Sequence, residues 1–349
     1  MAVEQVSVVD EMKSAYLDYS LAVLLGRAIP DLYDGLKPVT RRVLTAMKML
    51  GLKPDGRFMK AARIEGETMG RLHPHSGAYG AMVTATQWWT NNAPLINGHG
   101  NFGSPTDGPA APRYTEAKLT DYSFSVLLQD TETWDTKDNY DGSLKEPIQF
   151  NARVPNVLVN GAEGVGVGFS TKIPTHNLRG IAKYIAEPKR NGRQLIPDFP
   201  PGCDVVKDEG LQEYLKTGHG SIRMRAKVEH IQIDHGKRSK RKAMVFTNLP
   251  YQVSTEQVSN QIKNAVEKGA ITTVADVRDE TDRSGIRFVV IGKPNVNQQA
   301  LEEEVFASTS LDCRFSASNL VIDGVKPVQL SPAALIERWL IWRDKCLVK

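Results

Sequence analysis

Between Pro30 and Trp88 the chain is punctuated so often that only short helices fit. Proline locks φ and lacks an N–H, so it ends a helix from within or opens one at its first turn. Met12, Tyr16, Tyr19 and Val23 recur at the spacing of one helix face, and Pro30 must stop that helix. Pro38 suits a first turn, so a second helix is expected from residue 38 to about 50, ahead of Gly51, with Arg41 and Arg42 in its opening turns. Residues 60–72 read as a third helix and 76–88 as a fourth, joined by His73-Pro74-His75. Helix, short turn, helix is the shape of a helix-turn-helix unit, whose second helix can enter a DNA major groove.

From about Glu146 the texture changes to strand-like runs at 154–159, 221–233, 243–248 and 286–291, with helical stretches at 255–268 and 298–308. Ser331-Pro332 opens a last helix, 333–349, that carries Leu335, Trp339, Ile341 and Trp342. The pattern predicts an α+β chain of several domains, and 349 residues suffice for two or three cores. No apolar run approaches the ~20 residues of a membrane span, and Glu4 and Asp10 do not fit a signal peptide, so a cytosolic protein is expected. Cys203, Cys313 and Cys346 lack the spacing of a disulfide framework or a zinc site.

Net charge is only +4, but its distribution says more. Residues 27–118 carry 12 Lys/Arg against 7 Asp/Glu, whereas 121–146 hold seven acids against Lys137 and Lys145. A second basic knot at 235–242 reads either as a solvated hairpin tip or as a DNA-backbone contact.

The chemistry is concentrated at Arg113-Tyr114, just after the glycine-rich run 97–104. A phenol with an ordinary pKa of about 10 is a poor nucleophile, so it needs cations that favour phenolate and stabilise an attacked phosphate. An isolated Arg-Tyr pair is more often packing than chemistry. Here, however, it follows three other blocks: Gly26-Arg27-Ala28-Ile29-Pro30-Asp31 running into Asp34-Gly35-Leu36-Lys37-Pro38-Val39-Thr40-Arg41-Arg42, then His73-Pro74-His75, then Asn97-Gly98-His99-Gly100-Asn101-Phe102-Gly103-Ser104.

In order and spacing these blocks resemble the breakage-reunion subunit of type IIA DNA topoisomerases, the group of gyrase A, topoisomerase IV C and phage medium subunits. The resemblance runs from about Asp10 to the C-terminus. It implies an N-terminal arm (1–30) that docks on a partner subunit, then a winged-helix cleavage domain (31–147), an α/β tower domain (148–330) and the start of a coiled-coil arm (331–349). It also implies that Tyr114 is the nucleophile and joins a 5′-phosphate, with Arg113 beside it and Arg27 contributed by the opposite protomer. His73 and His75 would lie near the cleaved phosphate, where they could hydrogen-bond it or move protons near neutral pH. Lys37, Arg41, Arg42, Lys60 and Arg63 would hold the DNA backbone. Asn101 belongs to the glycine loop that approaches a phosphate, and Val165 occupies the place of an apolar wedge that bends the duplex.

The resemblance further implies double-stranded DNA, a homodimer within a heterotetramer, and Mg2+ and ATP both bound by an ATPase/Toprim partner. The residues themselves offer rival readings. His-x-His can be a metal pair, though no third ligand is near; Gly164, Gly166 and Gly168 give G-x-G-x-G rather than the dinucleotide spacing. The carboxylates of 279–282 are far from Tyr114 in sequence. A non-catalytic DNA-bending protein of the same descent is the alternative to an enzyme; a helix-turn-helix regulator leaves the second half without a role.

Two departures suggest a divergent member, of the kind phages encode. Two residues fewer separate His75 from Gly100 than in cellular members, with Gly80 at the place of an acid, and Thr40 stands where cellular gyrases have histidine. No lower gate, returning helix or C-terminal pinwheel can be read, so a shortened or split subunit is expected, with Leu335, Trp339 and Trp342 left as an exposed stripe.

Overall fold

The computed structural model describes residues 7–187, 194–235, 239–282 and 285–349. Helix α1 (Val8–Val23) runs into a π-helical turn, Leu24–Ala28, that stops before Pro30. The outward stripe of α1 stays exposed, Met12 at 67% and Tyr16 at 63%. Helices α2 (Pro38–Met49), α3 (Ala61–Arg71) and α4 (Ala78–Thr86) pack together over a small antiparallel sheet. Its strands are β1 (Met59–Lys60), β2 (Ile96–His99) and β3 (Glu116–Leu119), in the order β1-β3-β2. Val43, Leu44, Met47, Ile64, Met82 and Leu119 form its core, all fully buried. Burying such side chains is the main stabilising term here, at about 1.5–3 kcal/mol for each large one.

A short hairpin follows, β4 (Thr136–Asp138) on β5 (Lys145–Pro147), and then α5 (Asn156–Asn160). This corrects the strand expected at 154–159. A short apolar run looks the same in a buried strand and a buried helix, and here the flanking asparagines decide. Asn160 Nδ2 donates to Asn156 Oδ1 one turn away at 3.1 Å, and Asn156 Nδ2 donates to the Asp34 carbonyl at 2.9 Å.

The remainder is built on two sheets. One runs β6 (Ala162–Val165), β7 (Ser170–Ile173), β14 (Asp312–Ser318), β9 (His219–Arg225), β8 (Asp204–Val205). The other runs β10 (Lys227–His235), β11 (Ser239–Asn248), β13 (Phe288–Gly292), β12 (Val274–Asp279). The single strand expected over 221–233 is therefore two. At buried Ala226, whose N–H donates to the Leu311 carbonyl at 2.8 Å, the chain leaves one sheet for the other. Alternation continues through the break, so periodicity could not reveal the change of partner.

Helices α6 (Leu178–Ala186), α7 (Glu209–Thr217), α8 (Thr255–Glu267), α9 (Gln298–Ser308) and α10 (Pro332–Val348) each begin at a residue whose side chain accepts a first-turn N–H: Asn177, Asp208, Ser254, Asn297 and Ser331. Such a cap contributes about 1 kcal/mol. The hairpin β15 (Leu320–Asp323) and β16 (Lys326–Gln329) precedes α10. The exposed stripe expected on α10 is corrected as well. Leu335 and Trp339 are buried with Val157 and Leu158 of α5, and Trp342 stacks on Tyr33 at 4.8 Å. Only Ile341 of that group is open, at 62%.

Of the basic knot, residues 236–238 lie outside the described residues, while Lys240, Arg241 and Lys242 are placed on β11. Among the described residues no helix is long and apolar enough to cross a membrane.

Candidate functional site

Tyr114 stands on an exposed loop that α3 fixes. The free N–H groups of a helix first turn need acceptors, and here Ala61 N donates to the Thr115 carbonyl at 2.9 Å and Ala62 N to that of Pro112 at 3.2 Å. Gly100, at φ +105°, lies against the other side; a Cβ there would be 3.2 Å from the Tyr114 carbonyl oxygen. Asn101 is exposed, and its carbonyl accepts from Ala110 N at 3.0 Å. The Tyr114 side chain is 64% exposed, with the Arg113 guanidinium 4.5 Å above its ring.

The cations around this loop differ. Lys60 pairs with Glu116 at 2.9 Å, and Glu116, also 3.3 Å from His99 Nδ1, is held below the usual carboxylate range chiefly by the hydrogen bond from Lys60. Arg63 is exposed and has no ion-pair partner among the described residues.

Arg27, Arg42, His73 and His75 come together elsewhere, around a cavity of about 450 Å3 that neither Arg113 nor Tyr114 lines. Arg42 binds Glu146 through two nitrogens, both at 2.8 Å, and a third lies 3.0 Å from His73 Nδ1. Arginine can only donate, so Nδ1 accepts and the ring proton belongs on Nε2. Burial, then the charges of Arg42, His75 and Arg27, push His73 down to about 4. With Nδ1 engaged by Arg42, His73 presents its Nε2–H as a hydrogen-bond donor. His75 is exposed, its ring edge-on to His73 at 5.3 Å, and Arg27 is exposed at the end of the π-helical turn.

Arg41 does not face this cavity as a free cation. It is 8% exposed, with Nε 2.6 Å from Asp34 Oδ2 and Nη2 2.8 Å from Oδ1. Burial works against its charge, but Asp34 outweighs that and keeps the guanidinium charged. Asp34 also accepts from Phe150 N at 2.9 Å. The pair is a fastener of the α2 entry rather than an open DNA contact. Sequence reading missed Asp34 and Glu146, and only the seven-residue spacing of Asp34 and Arg41 hinted at the first.

Val165 is 84% exposed on the β6–β7 hairpin, with Phe169 beside it at 47%. The hairpin is seated tightly on the π-helical turn: a Cβ on Gly164 would fall 1.9 Å from the Ala28 carbonyl oxygen, so only glycine fits. Half-buried Lys37 adds a clasp, donating to the Glu163 carbonyl, and burial lowers its pKa despite the opposing pull of Glu163. The hairpin that carries Val165 thus rests on the turn that carries Arg27. Among the described residues no three His, Cys, Asp or Glu side chains converge as a metal site.

An exposed tyrosine under an arginine thus stands outside an arginine-histidine cavity on the same mixed α/β chain. Residues 27–349 match the DNA gyrase/topoisomerase IV A-subunit family, and the chain belongs to that family. It is 41% identical over its full length to the DNA gyrase A-subunit of Streptomyces coelicolor, 40% identical over 92% of its length to that of Synechocystis, and 38% identical over 99% to that of Streptococcus pyogenes. It spans 42%, 39% and 43% of these relatives respectively, about two fifths of their length.

Proposed function

We propose that this chain is the DNA-binding and cleaving part of an ATP-dependent type II DNA topoisomerase. The observation that carries the reading is the division of the site: Tyr114 and Arg113 are exposed on one side, while Arg27, His73 and His75 surround a cavity that Tyr114 does not line. In a homodimer on DNA, Tyr114 of each copy meets the cavity of the other. The Tyr114 oxygen loses its proton and attacks phosphorus; the P–O bond to the 3′ oxygen breaks, that oxygen takes up a proton, and a 5′-phosphotyrosyl end remains. The reverse step reseals the strand, because the phosphodiester bond energy is kept in the tyrosyl ester. Negative charge on the phosphoryl oxygens falls between Arg113 and the second copy's Arg27, where fixed cations act most strongly. The Nε2–H of His73 donates to the phosphate.

Helices α3 and α4 with the β1-β3-β2 sheet support a winged-helix reading of 31–147, with Lys60, Arg63 and the Asn101 loop toward the backbone. In this reading 148–330 form the tower, 331–349 begin the arm, and α1 docks on an ATPase/Toprim subunit within a heterotetramer. In the same reading Val165, exposed on its hairpin, enters a base step. Mg2+, held with ATP by that partner subunit, supplies further charge at the phosphate when bound.

The test is covalent capture of DNA. With Mg2+ and the partner subunit present, the native chain should trap DNA and Tyr114→Phe should trap none, with DNA affinity changed by no more than a few-fold. Equal adduct from both removes Tyr114 as nucleophile, and tight binding without adduct from the native chain favours a DNA-bending protein.

A further inference from the structure

The Tyr114 side chain is 64% exposed with the Arg113 guanidinium over its ring, so the placement of its hydroxyl depends on the backbone of its loop. Besides α3 and Gly100, a third group holds that loop. Tyr79, on α4, donates its hydroxyl to the Ala110 carbonyl at 2.6 Å, and the same oxygen lies 3.0 Å from Thr115 Oγ1. The phenol has one hydrogen and it goes to the carbonyl, so the Thr115 hydroxyl donates back to Tyr79. Thr115 is fully buried and the Tyr79 ring leans on Phe102 at 6.3 Å, so neither partner is free to drift. One hydroxyl thereby ties the two ends of the loop that carries Arg113 and Tyr114.

We propose that Tyr79 is a positioning residue for Tyr114, holding the loop ends at the separation that aims the nucleophile and linking its geometry to the seating of α4. The inference rests on the cleavage reading above. Small displacements of a reacting group are costly, on the order of 10²-fold for about 1 Å.

Tyr79→Phe keeps the ring on Phe102 and removes only the hydrogen bonds. Amide hydrogen exchange in a peptide spanning 110–115, measured without DNA, should speed up about tenfold. The single-turnover cleavage rate, read with excess protein, Mg2+ and the ATPase/Toprim subunit, should fall about tenfold while the DNA Kd stays within about twofold. Thr115→Val should do the same, and the double variant should be no slower than either alone. Unchanged exchange in the loop overturns the inference whether or not DNA is cleaved. Exchange that rises throughout the chain, with a native cleavage rate per folded molecule, overturns it too. If the native chain forms no covalent DNA, the cleavage reading fails and the positioning role falls with it; if the native chain cleaves and Tyr79→Phe cleaves equally fast, this inference alone fails.

Discussion

The Tyr114 loop and the Arg27 cavity are both rich in cations, yet they are organised in opposite ways. Around Tyr114 the charges are open: Arg113 is exposed, Arg63 has no ion-pair partner among the described residues, and Lys60 meets Glu116 at the surface. Around the cavity the arginines other than Arg27 are bound to carboxylates buried in the same unit, Arg41 to Asp34 and Arg42 to Glu146. The difference teaches that the Tyr114 loop is shaped by backbone contacts and the Arg27 cavity by buried ion pairs. A surface pair contributes roughly 0–1 kcal/mol, whereas removing one member of a buried pair costs about 3–5 kcal/mol.

The largest effect should therefore come from the cavity side. Asp34→Asn leaves the Arg41 charge buried without its partner and should cost about 3–5 kcal/mol in a denaturant titration. A cost under about 1 kcal/mol would erase the contrast. Next, Arg27→Ala should slow cleavage by roughly 10²–10³-fold with little change in stability. Mixing it with Tyr114→Phe sharpens the comparison: if each Tyr114 uses the other copy's cavity, the mixed dimer regains one cleavage site. Rescue that never appears would return both halves to one chain.

Smaller still is the acid response of His73. Its folded pKa of about 4 is below the ordinary 6.5, so the unfolded chain binds the extra proton first. The stability contributed by the neutral ring is complete above pH 6.5 and lost as pH falls toward 4, by no more than about 3 kcal/mol and less where water in the cavity screens it. His176, pushed down to about 4 by burial, acts in the same window, whereas Asp31, raised to about 7 by burial and then by Asp34, acts with the opposite sign. Both persist in His73→Asn, so the difference between the two pH profiles isolates His73; superimposable profiles would refute the assignment. Least of all, Lys60→Ala should lower the unfolding free energy in a denaturant titration by less than about 1 kcal/mol, since its pair is exposed.

Much of this was legible beforehand where local rules act alone. Pro38 at a first turn and Ser331 as a cap placed α2 and α10 to within a residue or so, and 298–308 matched α9. Arg113 and Tyr114 stood out because their neighbours form ordered blocks. The failures share a cause. The 154–159 run, the break at Ala226 and the inward turn of Arg41 each depend on a partner far along the chain: Asp34 for α5, Leu311 for Ala226. For Arg41 the acid is only seven residues away, but it is turned inward by Phe150.

The amino-acid sequence by itself determined the family, the short helices and the residue types available for phosphate chemistry, because proline geometry, capping and block order are local properties. Tertiary structure alone decided which arginines remain open, which histidine is held neutral, and that Tyr114 and the Arg27 cavity lie apart. Those outcomes follow from burial and charge pairing, and both arise only when distant segments are folded against one another.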